Sequence, residues 1–162
     1  MKKKLIAILV LALVVSTVSV FAFGIGVQGG GGIGGGGLAV TFKLDQLPYV
    51  FAADLTIVGD YFFIGGTADL WMMNANLAGP VNYFVGGGLG ASVGFWDYDW
   101  DGDDDLHLNV SPRVVAGLNM FFVDGFIEPY IQIAYNPTLQ ILPKIGFNFI
   151  AFNAAGGIRF WF

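Results

Sequence analysis

Three observations predict an all-β fold, an antiparallel eight-stranded transmembrane β-barrel that follows an N-terminal signal peptide. Hydrophobic residues make up 56% of the chain and charged residues only 12%, with a mean hydropathy of +0.69, too apolar for a surface facing water on all sides. Beyond the N-terminus there is no apolar run of the roughly 18 or more residues that a spanning helix needs, so the apolar content is packaged in another way. Apolar residues instead recur at every second position after residue 22, the period of a strand. At 162 residues the chain suits one domain and is short for two comfortable cores.

The N-terminal segment runs from Met1 through Lys2, Lys3 and Lys4 into an unbroken apolar stretch, Leu5 to Val15, and leaves through Ser16 to Val20 and the small Ala22. At about 1.5 Å per helical residue, such a stretch falls well short of a hydrocarbon core of about 30 Å. It fits the apolar region of a secretory signal, roughly 7 to 15 residues long. The expected division is therefore a signal peptide at 1–22, cut between Ala22 and Phe23, and a barrel at 23–162. Cleavage leaves Lys43, Arg113, Lys144 and Arg159 against 12 acidic residues, a balance that disfavours nucleic acid as a partner. The chain has no cysteine, so disulfides, thiolate metal sites, a cysteine nucleophile and a lipidated N-terminal cysteine are all excluded.

The strands follow in order. Phe23 to Gly30 and Leu38 to Leu44 read as two short strands on either side of a glycine tract. In Val50 to Val58, Phe51, Ala53, Leu55 and Ile57 alternate with Asp54 and Thr56. In Tyr61 to Met73, Ile64, Ala68, Leu70 and Met72 alternate with Thr67, Asp69 and Trp71. Val81 to Phe95 is the fifth strand. Leu106 to Phe122 sends Leu106, Leu108, Val110, Val114, Ala116, Leu118 and Met120 to one face and His107, Asn109, Ser111, Arg113 and Asn119 to the other. Phe126 to Gln140 repeats the pattern with Ile127, Ile131, Ile133 and Tyr135 opposite Glu128, Tyr130, Gln132 and Asn136, and a closing strand lies within Ile145 to Phe162. Asp124-Gly125 marks a tight hairpin between the sixth and seventh strands. The even count puts both termini at one end and the long polar connection, Trp96 to Asp105, at the other. Two features strain this reading: the first two strands are shorter than the roughly 9 to 11 residues of a tilted spanning strand, and Pro112, Pro129 and Pro137 fall inside strands, where bulges would accommodate them.

The glycine tract Gly29 to Gly37 could be mistaken for a phosphate-binding loop. It lacks the following Lys-Ser/Thr and the flanking βαβ pattern of such loops, and a hairpin end or strongly bent strand accounts for it better. The glycines at Gly86, Gly87, Gly88, Gly90 and Gly94 are placed to make room for large neighbours in a narrow barrel.

The last residues, Gly157-Ile158-Arg159-Phe160-Trp161-Phe162, put Gly156, Ile158, Phe160 and the terminal Phe162 on one face. This resembles the C-terminal signature of outer-membrane β-barrels, in which the positions of Phe160 and Phe162 act as an assembly signal for the barrel-assembly machinery of diderm bacteria. Over residues 23–162 the chain is similar to the small eight-stranded family of the OmpA transmembrane domain, OmpX and OmpW. It departs from OmpA in that no peptidoglycan-binding domain follows the barrel in this sequence. The resemblance implies an outer-membrane location, lipid and the assembly machinery as partners, and a surface ligand of unspecified kind. Activity is not implied, since one fold hosts several functions.

Three groups of residues could carry chemistry. Asp97, Asp99 and Asp101 with Gly102 form the Asp-x-Asp-x-Asp-Gly opening of calcium loops, and Asp103 and Asp105 stand at the seventh and ninth positions. The twelfth position is Leu108 rather than a bidentate glutamate, which leaves two readings open: a weak Ca2+ site, or a solvated acidic tip flanked by interfacial Trp96 and Trp100. Otherwise no cofactor is expected. His107, the lone histidine, shares a strand face with Ser111, but four residues at about 3.3 Å each separate them too widely for a nucleophile-base bond. Ser92 is the other serine of the mature chain, and no catalytic site is expected. Finally, Lys43, Arg113 and Arg159 share the inner face with Asp54, Asp69 and Glu128. An eight-stranded barrel is just wide enough for side chains to fill, so this balanced set is expected to form a plug. A filled-lumen barrel with a structural or surface-interaction role follows. The alternatives are a narrow transport barrel for small or hydrophobic molecules, as the OmpW resemblance implies, and a lipid-modifying barrel enzyme.

Overall fold

The computed structural model describes residues 22–32, 35–58, 61–96 and 106–162. All regular structure in it is antiparallel β: β1 (Phe23–Gly32), β2 (Gly35–Leu44), β3 (Tyr49–Val58), β4 (Tyr61–Ala78), β5 (Val81–Trp96), β6 (His107–Met120), β7 (Ile127–Tyr135), β8 (Thr138–Leu142), β9 (Gly146–Asn148) and β10 (Phe152–Trp161). Sequential strands pair through β1 to β7, and β10 bridges β7 to β1, so the sheet closes on itself. Every spanning N–H and C=O can then pair within the wall, the condition for crossing lipid with strands.

Ten segments make eight staves. Along β6, the pairs Phe122↔Ile127, Asn119↔Tyr130, Val114↔Tyr135 and Asn109↔Gln140 keep one register, so β8 is the upper continuation of β7 after a break at Asn136-Pro137. In the same way β9 leads into β10 through residues 149–151. Against β6 the register runs unchanged past Pro137, whereas against the β9–β10 stave it shifts by one residue there, since Asn136 N donates to Ala151 O but Thr138 pairs with Asn148, so the irregularity expected at this proline is present. Pro112 and Pro129 instead correct the sequence reading, because both lie in regular register, opposite Leu89 and Ile158. Each falls where its strand is paired on one side only: Pro112 between the β7 and β8 ladders of β6, and Pro129 just past the β6 ladder of β7. A residue without an N–H is tolerated there. Further register shifts occur between Trp71 and Met73, between Asn76 and Ala78, and between Leu108 and Asn109.

A second correction concerns the first two strands. Both run for 10 residues, because the glycine tract continues the ladder through Gly30↔Gly37, Gly31↔Gly36 and Gly32↔Gly35. The expected tight hairpin is present: Phe126 N donates to Val123 O at 3.0 Å, with φ of 54° at Asp124 and 91° at Gly125. Positive φ at both central residues is the twist-matched geometry for which Asp-Gly is preferred.

The barrel is inside out relative to a water-soluble protein. Ile133 is 65% exposed while its chain neighbour Gln132 is 8% exposed. Ile25, Val27, Leu38, Val40, Leu55, Ile57, Ile64, Leu89, Val114 and Ile131 are likewise exposed, forming an apolar outer belt. At the end bearing the termini, Phe23 packs on Phe42 and Phe162, and Phe126 on Phe160 and Phe162, with centroids 5.7–5.9 Å apart. This aromatic rim is of the kind that marks a membrane interface.

Candidate functional site in the barrel lumen

Alternation sends Thr41 and Lys43 of β2, Asp69 and Trp71 of β4, Phe84 of β5, Arg113 and Asn119 of β6, Glu128, Tyr130 and Gln132 of β7 and Arg159 of β10 inward, and all of them are buried. The large side chains meet because the strand between them presents a glycine. Asp69, Gly88 and Arg113 are register partners on β4, β5 and β6, and any Cβ on Gly88 would overlap Asp69 Oδ1. Across that gap Arg113 Nε donates to Asp69 Oδ1 at 3.0 Å and Nη2 to Oδ2 at 3.3 Å. The same arrangement recurs around the wall. Tyr130 Oη donates to Gln28 Oε1 at 2.9 Å across Gly157, and Lys43 Nζ lies 5.2 Å from the Trp161 ring centroid across Gly24. Phe63 meets His107 edge-on across Gly94, centroids 6.4 Å apart.

Toward the termini these contacts merge into a plug. Glu128 is fully buried, and its carboxylate accepts from Arg159 Nη1 at 2.8 Å, Trp161 Nε1 at 2.9 Å and Asn119 Nδ2 at 2.8 Å. The Arg159 guanidinium lies over the Tyr130 ring at 4.0 Å and the Trp71 ring at 5.1 Å, and Lys43 Nζ sits 4.6 Å from Trp71. Trp71 stacks on Phe84 with centroids 3.7 Å apart and planes 6° from parallel. Such cation–π and stacking contacts each supply about 0.5–2 kcal/mol. Losing one partner of a buried ion pair costs about 3–5 kcal/mol, because the other charge is left buried and unpaired.

Away from the termini the lumen widens into a cavity of about 650 Å³, lined by polar side chains and by Gly30, Gly32 and Gly37 of the glycine tract. Arg113 forms part of its lining, and Asp54 stands in its wall beside Thr56, whose Oγ1 donates to Asp54 Oδ2 at 3.3 Å.

The six charges read from the sequence therefore all lie within the barrel, in three settings. Asp69 pairs with Arg113, Glu128 pairs with Arg159, and Lys43 rests on aromatic faces, while Asp54 lies apart in the upper cavity. An Arg113–Glu128 pair is not among the ion pairs of the described residues. The partners missed from sequence are Trp161 and Phe84. Trp161 shares strand parity with Arg159, which could have placed it inside, whereas no inner residue is assigned from sequence on β5 to place Phe84.

Phe160 and Phe162 face outward in the aromatic rim, and Phe162 also closes the seam, its N–H donating to Phe23 O at 2.9 Å and its carbonyl accepting from Phe23 N at 3.1 Å. The signal peptide read at 1–22 and the aspartates Asp97, Asp99, Asp101, Asp103 and Asp105 lie outside the described residues, apart from Ala22.

No protein-family model matches the sequence, and no curated protein matches it. Two solved structures share its fold. Neisserial surface protein A superposes with a TM-score of 0.59 at 15% identity, covering 88% of this chain and 97% of its own. The N-terminal β-barrel domain of Pseudomonas aeruginosa OprF gives 0.54 at 15% identity, covering 87% and 97%. Closure, strand count, inverted polarity and these two likenesses agree: the chain has the closed, antiparallel eight-stranded fold of small outer-membrane β-barrels.

Proposed function

We propose that this protein is an outer-membrane barrel with a plugged lumen, serving a structural or surface-interaction role rather than conduction or catalysis. The observation that carries the reading is the plug around Glu128, where Arg159, Trp161 and Asn119 saturate one buried carboxylate while Trp71, Phe84 and Tyr130 fill the space beside it. A barrel built to pass solute would keep such charges in water. The apolar belt and aromatic rim suit insertion in lipid, and the contacts of Phe162 support its reading as the residue handed to an assembly machinery. The termini then face the periplasm. The opposite end of the barrel, where β5 stops and β6 begins, faces the exterior.

Cell fractionation combined with an epitope inserted at Gly102 tests this placement. The account expects the protein in the outer-membrane fraction and the epitope labelled on intact cells. Labelling only after permeabilisation would invert the topology, and recovery in a soluble fraction would overturn the membrane reading.

A further inference from the structure

The lumen is electrically divided. The plug holds Lys43 and Arg159 around Glu128, whereas the upper half holds Asp54 and Asp69 with Arg113. Arg113 is engaged by both oxygens of Asp69, so Asp54 is left with only the Thr56 hydroxyl as a hydrogen-bond partner among the described residues. Gly65 stands between Asp54 and Ser92 in register, and a Cβ there would come within 3.0 Å of Asp54 Oδ2. Any side chain at Gly65 would crowd the carboxylate, which on its other side forms part of the wall of the upper cavity. Besides Arg113, the walls of the 650 Å³ cavity carry uncharged hydrogen-bonding groups, among them Thr67, Asn109, Ser111 and Gln132, interspersed with apolar surface from Phe63, Phe147 and several alanines. The volume lies within the roughly 300–1,000 Å³ range of small-molecule sites.

We propose that this upper chamber is a binding site for a small polyhydroxylated molecule that carries an ammonium group, an amino sugar in chemical class. Asp54 would receive the ammonium in a charge-assisted hydrogen bond. The carboxamides and hydroxyls on the facing strands would exchange water for the ligand's hydroxyls. An anionic sugar would meet two carboxylates, Asp54 and Asp69, against the single guanidinium of Arg113 and be disfavoured; a neutral sugar would find the same hydroxyl partners but no ammonium anchor. The site rests on the proposed plug, which supplies its floor.

Glucosamine and glucose titrated calorimetrically into the refolded barrel in detergent, at near-neutral pH, test the proposal. Glucosamine is expected to bind at least tenfold more tightly than glucose, and Asp54→Asn, checked for folding by heat-modifiable gel mobility, to weaken glucosamine at least tenfold and abolish the preference for it over glucose. Amide NMR shifts in the wild type, which need no variant, should concentrate at Thr56, Asn109 and Gln132. Equal binding of the two sugars, no binding of glucosamine, or shifts confined to the outer surface would overturn the site. Glucosamine binding at Asp54 in a barrel that also conducts ions would overturn the plug and leave the site standing.

Discussion

At the level of single residues, the lumen is governed by where glycine stands. Gly88 lets a β4 carboxylate and a β6 guanidinium meet over the strand between them, and removing either charge strands the other in a place where only 5–6% of the side chain is exposed. Arg113→Ala is expected to lower stability in urea by about 3–5 kcal/mol, the usual cost of breaking a buried pair. An Asp69→Ala, Arg113→Ala double mutant should recover a substantial part of that loss. The same cycle run with Glu128 in place of Asp69 should show near-additivity, since Glu128 is held by Arg159, Trp161 and Asn119. Gly88→Val, which alters neither charge, should reproduce most of the loss by occupying the gap. A strong coupling of Arg113 to Glu128 in equilibrium unfolding would contradict the assignment.

At the level of elements, the strand that matters most for closure is β10, which pairs with both β1 and β7. Phe162 adds two seam hydrogen bonds with Phe23 and ring contacts to Phe23 and Phe126. Deleting it, or replacing it with a charged residue, is expected to leave export intact but block assembly. Normal membrane levels and normal heat-modifiable mobility in the deletion would contradict this. Much of the element pattern was legible in sequence because period-two alternation reports burial directly, as in Ile127 to Asn136, and because Asp124-Gly125 demands positive φ. The glycine tract was harder to read. With Ile33 as its one non-glycine residue, Gly29 to Gly37 gives no periodic signal, and its strand character comes from pairing with β10 and β3. Pro112 and Pro129 misled for a related reason: whether a missing N–H disturbs a ladder depends on where the partner strand stops, which local sequence does not state.

At the level of the whole molecule, closure of the sheet turns these local rules into a lumen with two halves: packed near the termini, hollow beyond Arg113. The six charges share the inner face because strand parity is local. Which of them pair was not legible in sequence, because the Asp69–Arg113 pair is set by the register of β4, β5 and β6 across the wall. Stacking of Trp71 on Phe84 was hidden by the register shift after Trp71. The central claim is that the half of the lumen bearing the termini is closed by side chains. Planar-bilayer recording on the refolded wild-type protein tests it most directly, using a sample whose heat-modifiable mobility shows it folded. The account predicts a membrane that stays at baseline, without regular single-channel steps. Reproducible steps of uniform size carried by the wild type, with their amplitude altered by Arg113→Ala at unchanged stability, would show a water-filled passage through the barrel and contradict the plugged lumen.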